Sequence, residues 1–261
     1  MKGLRKVAVS MANAVPPVVA RRFRGNRPLA RLVRPIANSM LPSGPTMVTV
    51  RGGRGEGLRL VIDPQAEKYY WSGLYEDDLQ REITEHLSPG DVMWDVGAHI
   101  GFISAIASRS VGPTGQVLAF EPLPGNISRL RQTVEANQLA NVTIREVAVS
   151  SSIGTSPFYI HSSTSMGGLE AREGAPTINV PTTTLDSEIT SRRPPMLVKI
   201  DVEGFEDDVI AGGKRLFDDI IPVIVIELLN DAAVARAKVL LPNYTLRRID
   251  GTNFIGERSA Q

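Results

Sequence analysis

The chain has 261 residues, 42% of them hydrophobic, enough for one sizeable α/β core with an appendage, and no apolar run reaches the ~18 residues of a membrane-spanning helix. It has no cysteine, which excludes disulfides, zinc–thiolate sites and cysteine nucleophiles. The formal charge of +1 hides an asymmetry: eleven of the 29 Lys and Arg precede the first acid, Glu56, and the remaining eighteen face all 28 Asp and Glu, a balance of −10.

Residues 1–45 read as a basic leader in which Pro16, Pro17, Pro28, Pro35, Pro42 and Pro45 rule out a long helix. Lys2 to Lys6 followed by Val7 to Ala12 has the outline of a secretion signal, but Ser10, Asn13 and two prolines break the apolar stretch, which argues against cleavage. Two readings remain: a solvated or domain-packed leader, and a peripheral contact with anionic membrane through residues 1–41, with Val18, Phe23, Leu32 and Ile36 dipping in. Either keeps the protein cytoplasmic, the second at the cytoplasmic face of the membrane.

Residues 46–90 read as a small N-terminal hairpin and a helix. Met47 to Arg51 and Leu58 to Ile62 flank a glycine-rich turn. An aromatic cluster, Tyr69 to Tyr75, could cover a ligand or pack on a core, and Asp78 to Leu87 is an amphipathic helix stopped by Pro89-Gly90.

Asp91 opens the domain that fills the rest of the chain, residues 91–261. An apolar strand (Val92, Met93, Trp94, Val96) runs into the turn Gly97-Ala98-His99-Ile100-Gly101 and then into an apolar helix from Phe102. A dinucleotide fingerprint needs glycine where His99 and Phe102 stand, so that reading fails at two of three glycines. An S-adenosylmethionine (SAM) turn carries an acid and then glycines two, four and six residues on. Asp95, Gly97 and Gly101 match and His99 departs, although a purely structural turn can also hold two glycines.

A second strand, Gly115 to Phe120, ends in Glu121-Pro122, and a carboxylate at the end of the strand beside a glycine turn is placed to accept from both ribose hydroxyls. A helix over Asn126 to Asn137 and a third strand, Val142 to Val149 with Ala148 near its end, come next. The loop Ser150 to Gly154 falls where an adenine would lie. Strands Ser156 to Ile160 and Ile178 to Leu185 flank a polar, glycine-rich loop from His161 to Gly174, which reads as a lid or as disorder.

The next strand, Leu197 to Ile200, delivers Asp201 and Glu203 at its carboxyl end before Gly204 and a helix over Asp207 to Phe217. Val223 to Leu229 is a buried strand carrying Glu227, for which Lys199 is a plausible partner. A helix over Asp231 to Leu241 and a hairpin about Asp250-Gly251 close the sheet. The pattern is α/β, with a mostly parallel doubly wound sheet and an antiparallel C-terminal hairpin.

Four motifs resemble the FkbM-type family of SAM-dependent methyltransferases: Asp95-Val-Gly-Ala-His-Ile-Gly101, Phe120-Glu121-Pro122, Thr184-Leu185-Asp186 and, most specific, Lys199-Ile-Asp-Val-Glu-Gly-Phe-Glu206. The resemblance covers about Gly73 to Ile255, and the position of His99 is usually asparagine in the family. It implies a Rossmann-like class I methyltransferase fold, SAM as cofactor and transfer to oxygen, commonly on sugars or polyketide-like products. Asp95, Gly97, Ala98 and Gly101 would then surround the methionine part, Glu121 would hold the ribose, and Asp201 and Glu203 would flank the methyl group. His99, Pro122 and Ala148 complete the expected cofactor set.

In-line transfer needs an aligned acceptor and one general base, with Asp201 or Glu203 expected and His161 as competitor. A hard cation held by Asp201, Glu203 and Glu227 is a lesser alternative, and no metal is expected. The expected acceptor is a small molecule or glycan. A nucleic-acid methyltransferase is a rival that the −10 balance disfavours, and a non-catalytic SAM-binding scaffold is another.

Overall fold

A computed structural model describes residues 41, 44–160, 167–168, 177–190 and 192–259. The chain divides into two compact units between Asp77 and Asp78.

In the first unit β1 (Thr46–Thr49) pairs antiparallel with β2 (Arg59–Ile62), as the alternating sequence requires. Helix α1 (Lys68–Ser72) ends at Gly73, whose left-handed backbone (φ 74°) lies so close to Gly52 that a Cβ would sit 1.8 Å from the Gly52 carbonyl oxygen. The rings of Tyr69, Tyr70 and Tyr75 gather with centroids 4.5–5.1 Å apart.

The second unit opens with α2 (Asp77–His86), whose Leu79 and Ile83, one turn apart, are buried. Seven strands follow in one sheet: β3 (Val92–Val96), β4 (Gln116–Phe120), β5 (Val142–Arg145), β10 (Leu197–Ile200), β11 (Val223–Glu227), β12 (Tyr244–Arg248) and β13 (Asn253–Arg258). Their spatial order is β12-β13-β11-β10-β3-β4-β5, and β13 alone runs against the others. The order reverses between β3 and β10. From β3 the chain steps one way to β4 and β5, then crosses back to lay β10 on the other side. This makes β3/β10 the topological switch point, and open α/β sheets bind ligands beyond the carboxyl ends of the strands at such a point.

Every residue of β3 is buried, which a strand covered on both faces demands and which its near-continuous apolar run supplies. Trp94 meets Phe120 of the next strand edge to face, 6.1 Å between centroids. Such side chains, fully withdrawn from water, contribute about 1.5–3 kcal/mol each. Helix α3 (Phe102–Val111) follows β3, and α4 (Pro124–Ala136) begins at a proline suited to a first helical turn.

Three sequence boundaries differ from expectation. The third strand stops at Arg145, and Ala148–Val149 forms a separate strand, β6, in a four-stranded side sheet ordered β6-β9-β7-β8, with β7 (Gly154–Ile160), β8 (Gly167–Gly168) and β9 (Thr177–Thr183). The chain changes sheets because Ala148 packs with Leu123, Phe158 and Val180. Strand β9 ends before Leu185, since Thr184 caps helix α5 (Leu185–Ile189) by accepting from the Ser187 N–H at 3.2 Å. The helix expected over Asp207 to Phe217 is α6 (Glu206–Ala211), followed by a wide helical turn over Leu216–Ile220. Helix α7 (Asp231–Leu240) and the hairpin about Asp250-Gly251 stand as expected. Among the described residues no helix is long and apolar enough to cross a membrane.

Candidate active site at the strand switch point

The turn after β3 takes positive φ at alternate residues: Gly97 (80°), His99 (52°) and Gly101 (83°). Histidine, like asparagine, tolerates that region better than most side chains, so His99 in place of the usual residue keeps the turn intact. The glycines are needed by the protein itself. A Cβ on Gly97 would lie 1.9 Å from the carbonyl oxygen of Asp201, and one on Gly101 would lie 2.3 Å from Cδ1 of Leu130. The first contact brings the ends of β3 and β10 together, and the second seats α3 on α4.

The turn is bolted to the end of β4. The N–H groups of Gly97 and Ala98 both donate to the Phe120 carbonyl, at 3.1 and 2.9 Å. Glu121, 4% exposed, accepts from the backbone N–H of His99 (2.8 Å), from that of Leu123 (2.9 Å) and from the Asn126 amide (3.3 Å). Burial outweighs these donors and the nearby Lys199 ammonium and pushes the carboxyl up to about 7.

On the other side of β3, Lys199 stands opposite Asp95 in the parallel ladder. Its ammonium donates to the Gly97 carbonyl (2.9 Å) and pairs with Asp201 (3.1 Å) and Asp95 (3.4 Å). Glu227, the partner that the sequence suggests for Lys199 if their strands are neighbours, accepts from Thr252 Oγ1 at 2.9 Å. Asp95 is fully buried and also accepts from Ser104 Oγ, so its side chain holds the site together from beneath. Asp201, with its side chain 25% exposed, is the outward member of the pair.

Beyond Asp201 the chain turns sharply through Glu203 (φ 55°) and Gly204 (φ 102°). Glu206 folds back to accept from the Gly204 N–H at 3.0 Å, and burial raises its carboxyl above the usual carboxylate range.

A family model for the methyltransferase FkbM domain matches residues 95–238, more than half of the chain. The chain belongs to the FkbM methyltransferase family. That family is one of SAM-dependent class I methyltransferases, as the sequence motifs implied. Residues 95–238 take in the turn, Glu121 and the whole Lys199–Glu206 motif. The chain is 32% identical over 153 residues to a hexuronic acid methyltransferase, AglP, of Haloferax volcanii, a match covering 58% of this chain and 61% of that protein. A shorter match, 36% over 59 residues, links it to an arsenite methyltransferase of Halobacterium salinarum and covers 23% of this chain and 15% of that one. The crystal structure of a methyltransferase FkbM from Methylobacillus flagellatus aligns with TM-score 0.47 at 19% identity, over 72% of this chain and 46% of that one. The chain thus spans about three fifths of the length of the Haloferax protein and much less of the Halobacterium one.

In this FkbM-family protein the structure gathers Asp95, Gly97, Ala98, His99, Gly101, Glu121, Pro122, Asp201 and Glu203 at one sheet edge. Ala148 joins them through its packing with Leu123, two residues past Glu121. His161 lies outside the described residues, as does most of the glycine-rich loop. Among the described residues no group of three or more His, Cys, Asp or Glu could hold a metal ion. The third motif, Thr184-Leu185-Asp186, works in the scaffold: Asp186 accepts from the backbone N–H groups of Arg215 (3.0 Å) and Leu216 (2.9 Å). Sequence reasoning missed Ser104, Asn126 and Glu206. Their signals were an alcohol one helical turn after the glycines, an amide five residues after Glu121, and an acid just past Gly204.

The residues present fit SAM. A carboxylate offers about four lone-pair positions, and Glu121 has three filled, which leaves one for a ribose hydroxyl; a second would require the long Asn126 contact to yield. Among the described residues the carboxylates gathered here outnumber the one ammonium, Lys199, which suits a sulfonium cation.

Proposed function

We propose that the protein is a SAM-dependent O-methyltransferase that modifies a hydroxyl on a sugar, glycan or glycosylated natural product. The observation that carries this reading is the meeting, at one switch point, of the Gly97–Gly101 turn, the Glu121 carboxylate and Asp201. The turn residues Gly97, Ala98, His99 and Gly101 would hold the methionine part. Glu121 would accept from the ribose, and Pro122 and Ala148 would line the adenosine side. When bound, SAM supplies an electrophilic methyl group.

The protein must then align an acceptor oxygen, and for a hydroxyl it must also take up a proton. Asp201 and Glu203, beyond the carboxyl end of β10, are the candidate bases, with His161 as competitor. A neutral hydroxyl suits an edge rich in carboxylates better than an anionic acceptor does. The likeness to a hexuronic acid methyltransferase supports a sugar-type acceptor. The acidic balance beyond Glu56 argues against nucleic acid. Contact of residues 1–41 with anionic lipid at the cytoplasmic membrane face is a separate proposal, tested by binding of the whole protein to anionic vesicles and its loss in high salt.

The test incubates the protein with methyl-labelled SAM and a panel of neutral sugars, uronic acids and their glycosides, followed by mass spectrometry for a gain of about 14 Da per methyl. The reading expects an alkali-stable ether. Transfer only as an alkali-labile ester would move the acceptor to a carboxyl group, and no transfer to any sugar would end the reading.

A further inference from the structure

Lys199 is 4% exposed. A buried ammonium is retained only where acceptors compensate its lost hydration. Here one hydrogen-bonded oxygen, the Gly97 carbonyl in the left-handed turn (2.9 Å), and two ion-paired carboxylates, Asp201 past the end of β10 (3.1 Å) and Asp95 in β3 (3.4 Å), sit on three separate segments. A counter-ion for Asp95 alone would need neither of the other two contacts. Asp95 is sealed in and already holds Ser104, whereas Asp201 is partly exposed and gives only Oδ2 to the lysine, which leaves Oδ1 for another partner.

We propose that Lys199 is the positioning residue of this site: its ammonium clamps the partly exposed Asp201 side chain to the Gly97 turn, so that turn and carboxylate face the ligand as one rigid unit. The inference rests on the SAM reading given above. The parallel ladder and the Asp201 N–H bond to the Val96 carbonyl (3.1 Å) fix the backbone spacing of the two segments but leave the Asp201 side chain free to rotate. The clamp removes that freedom before any ligand arrives, which is what preorganisation requires. Lys199 also helps keep Glu121 ionised across β3, so one cation serves both sides of the crevice.

The test is a mutant cycle read by calorimetry with S-adenosylhomocysteine (SAH) as probe. Lys199→Met alone would strand the buried Asp95 charge, so the clamp is removed as the pair Asp95→Asn with Lys199→Met. Should that pair fail to unfold cooperatively, Asp95→Asn with Lys199→Gln, which keeps a donor for Gly97, carries the same cycle. Asp201→Asn in the wild-type background is expected to weaken SAH about tenfold, and the clamp-less pair by a similar factor. Adding Asp201→Asn to the pair should cost no more than about a further twofold, because the carboxylate has already lost its tether. The pH below which SAH binding fails should also rise in the pair, since the ammonium no longer favours ionised Glu121. Effects that multiply to about a hundredfold, or a folded pair that binds SAH as the wild type does with an unchanged pH profile, would overturn the positioning role alone. A wild-type protein that binds no SAH would overturn the functional reading and this inference together.

Discussion

Glu121→Gln separates the two jobs of one carboxyl group. In the folded protein its pKa is about 7 because burial opposes ionisation, against an ordinary value of 4.5. A carboxyl whose folded pKa lies above its unfolded one stabilises the fold fully below the unfolded pKa, and that contribution is lost as pH rises through the folded pKa. Between pH 5 and pH 8 the loss amounts to about 2.5 kcal/mol. Glutamine cannot titrate, and its amide turns a donor towards the N–H of His99 or Leu123, so the variant starts about 1–3 kcal/mol less stable at low pH. Urea unfolding of both proteins at pH 5, 6, 7 and 8 reads the difference, in which the other titrating groups cancel. Wild type should lose its advantage as pH rises. SAH affinity should run the other way and fall below about pH 7 in the wild type, because the ionised carboxylate is the better acceptor for a hydroxyl. Parallel stability profiles for the two proteins would refute the claim that Glu121 is held near neutrality by burial.

Gly97→Ala should destabilise the fold by about 3 kcal/mol or more and abolish SAH binding, because its Cβ would meet the Asp201 carbonyl backbone at 1.9 Å; thermal unfolding checks this. His99→Asn should bind SAH within about threefold of wild type, while His99→Val, strained at φ 52°, should lose about 1–2 kcal/mol of stability. Asp186→Ala should cost about 1–2 kcal/mol in urea unfolding by orphaning the N–H groups of Arg215 and Leu216, yet leave SAH affinity intact. Once an acceptor is found, Asp201→Asn and Glu203→Gln should each be assayed for kcat; loss of about 10²–10⁴ in one of them marks the base, and full activity in both would exclude both.

The turn, Glu121 and Asp201 were legible because each signal is local: a strand pattern, then a glycine or an acid at its carboxyl end. The pairing of Lys199 was not, since it depends on strand order. Both β3 and β11 flank β10, and nothing in the sequence says which neighbour the lysine faces; the register sets Asp95 beside it. The glycines were legible as glycines but not in their purpose, which is close approach between strand ends and between helices rather than room for a ligand alone. Ala148 was expected at the end of the third strand because the apolar run continues unbroken from Val147. Only the tertiary cluster with Phe158 and Val180 pulls it into a second sheet. Asp186 stood in a family motif without a role of its own, and its backbone partners about thirty residues on could not be guessed from spacing.

The central claim, that the cofactor lies at the β3/β10 switch point, is tested most directly by hydrogen–deuterium exchange of the wild-type protein with and without saturating SAH. The account predicts slowed exchange in the segments 96–104, 120–124 and 201–206, with the amino-terminal edge of the sheet unchanged. Binding that leaves those segments unprotected, or that protects the opposite edge instead, would contradict it.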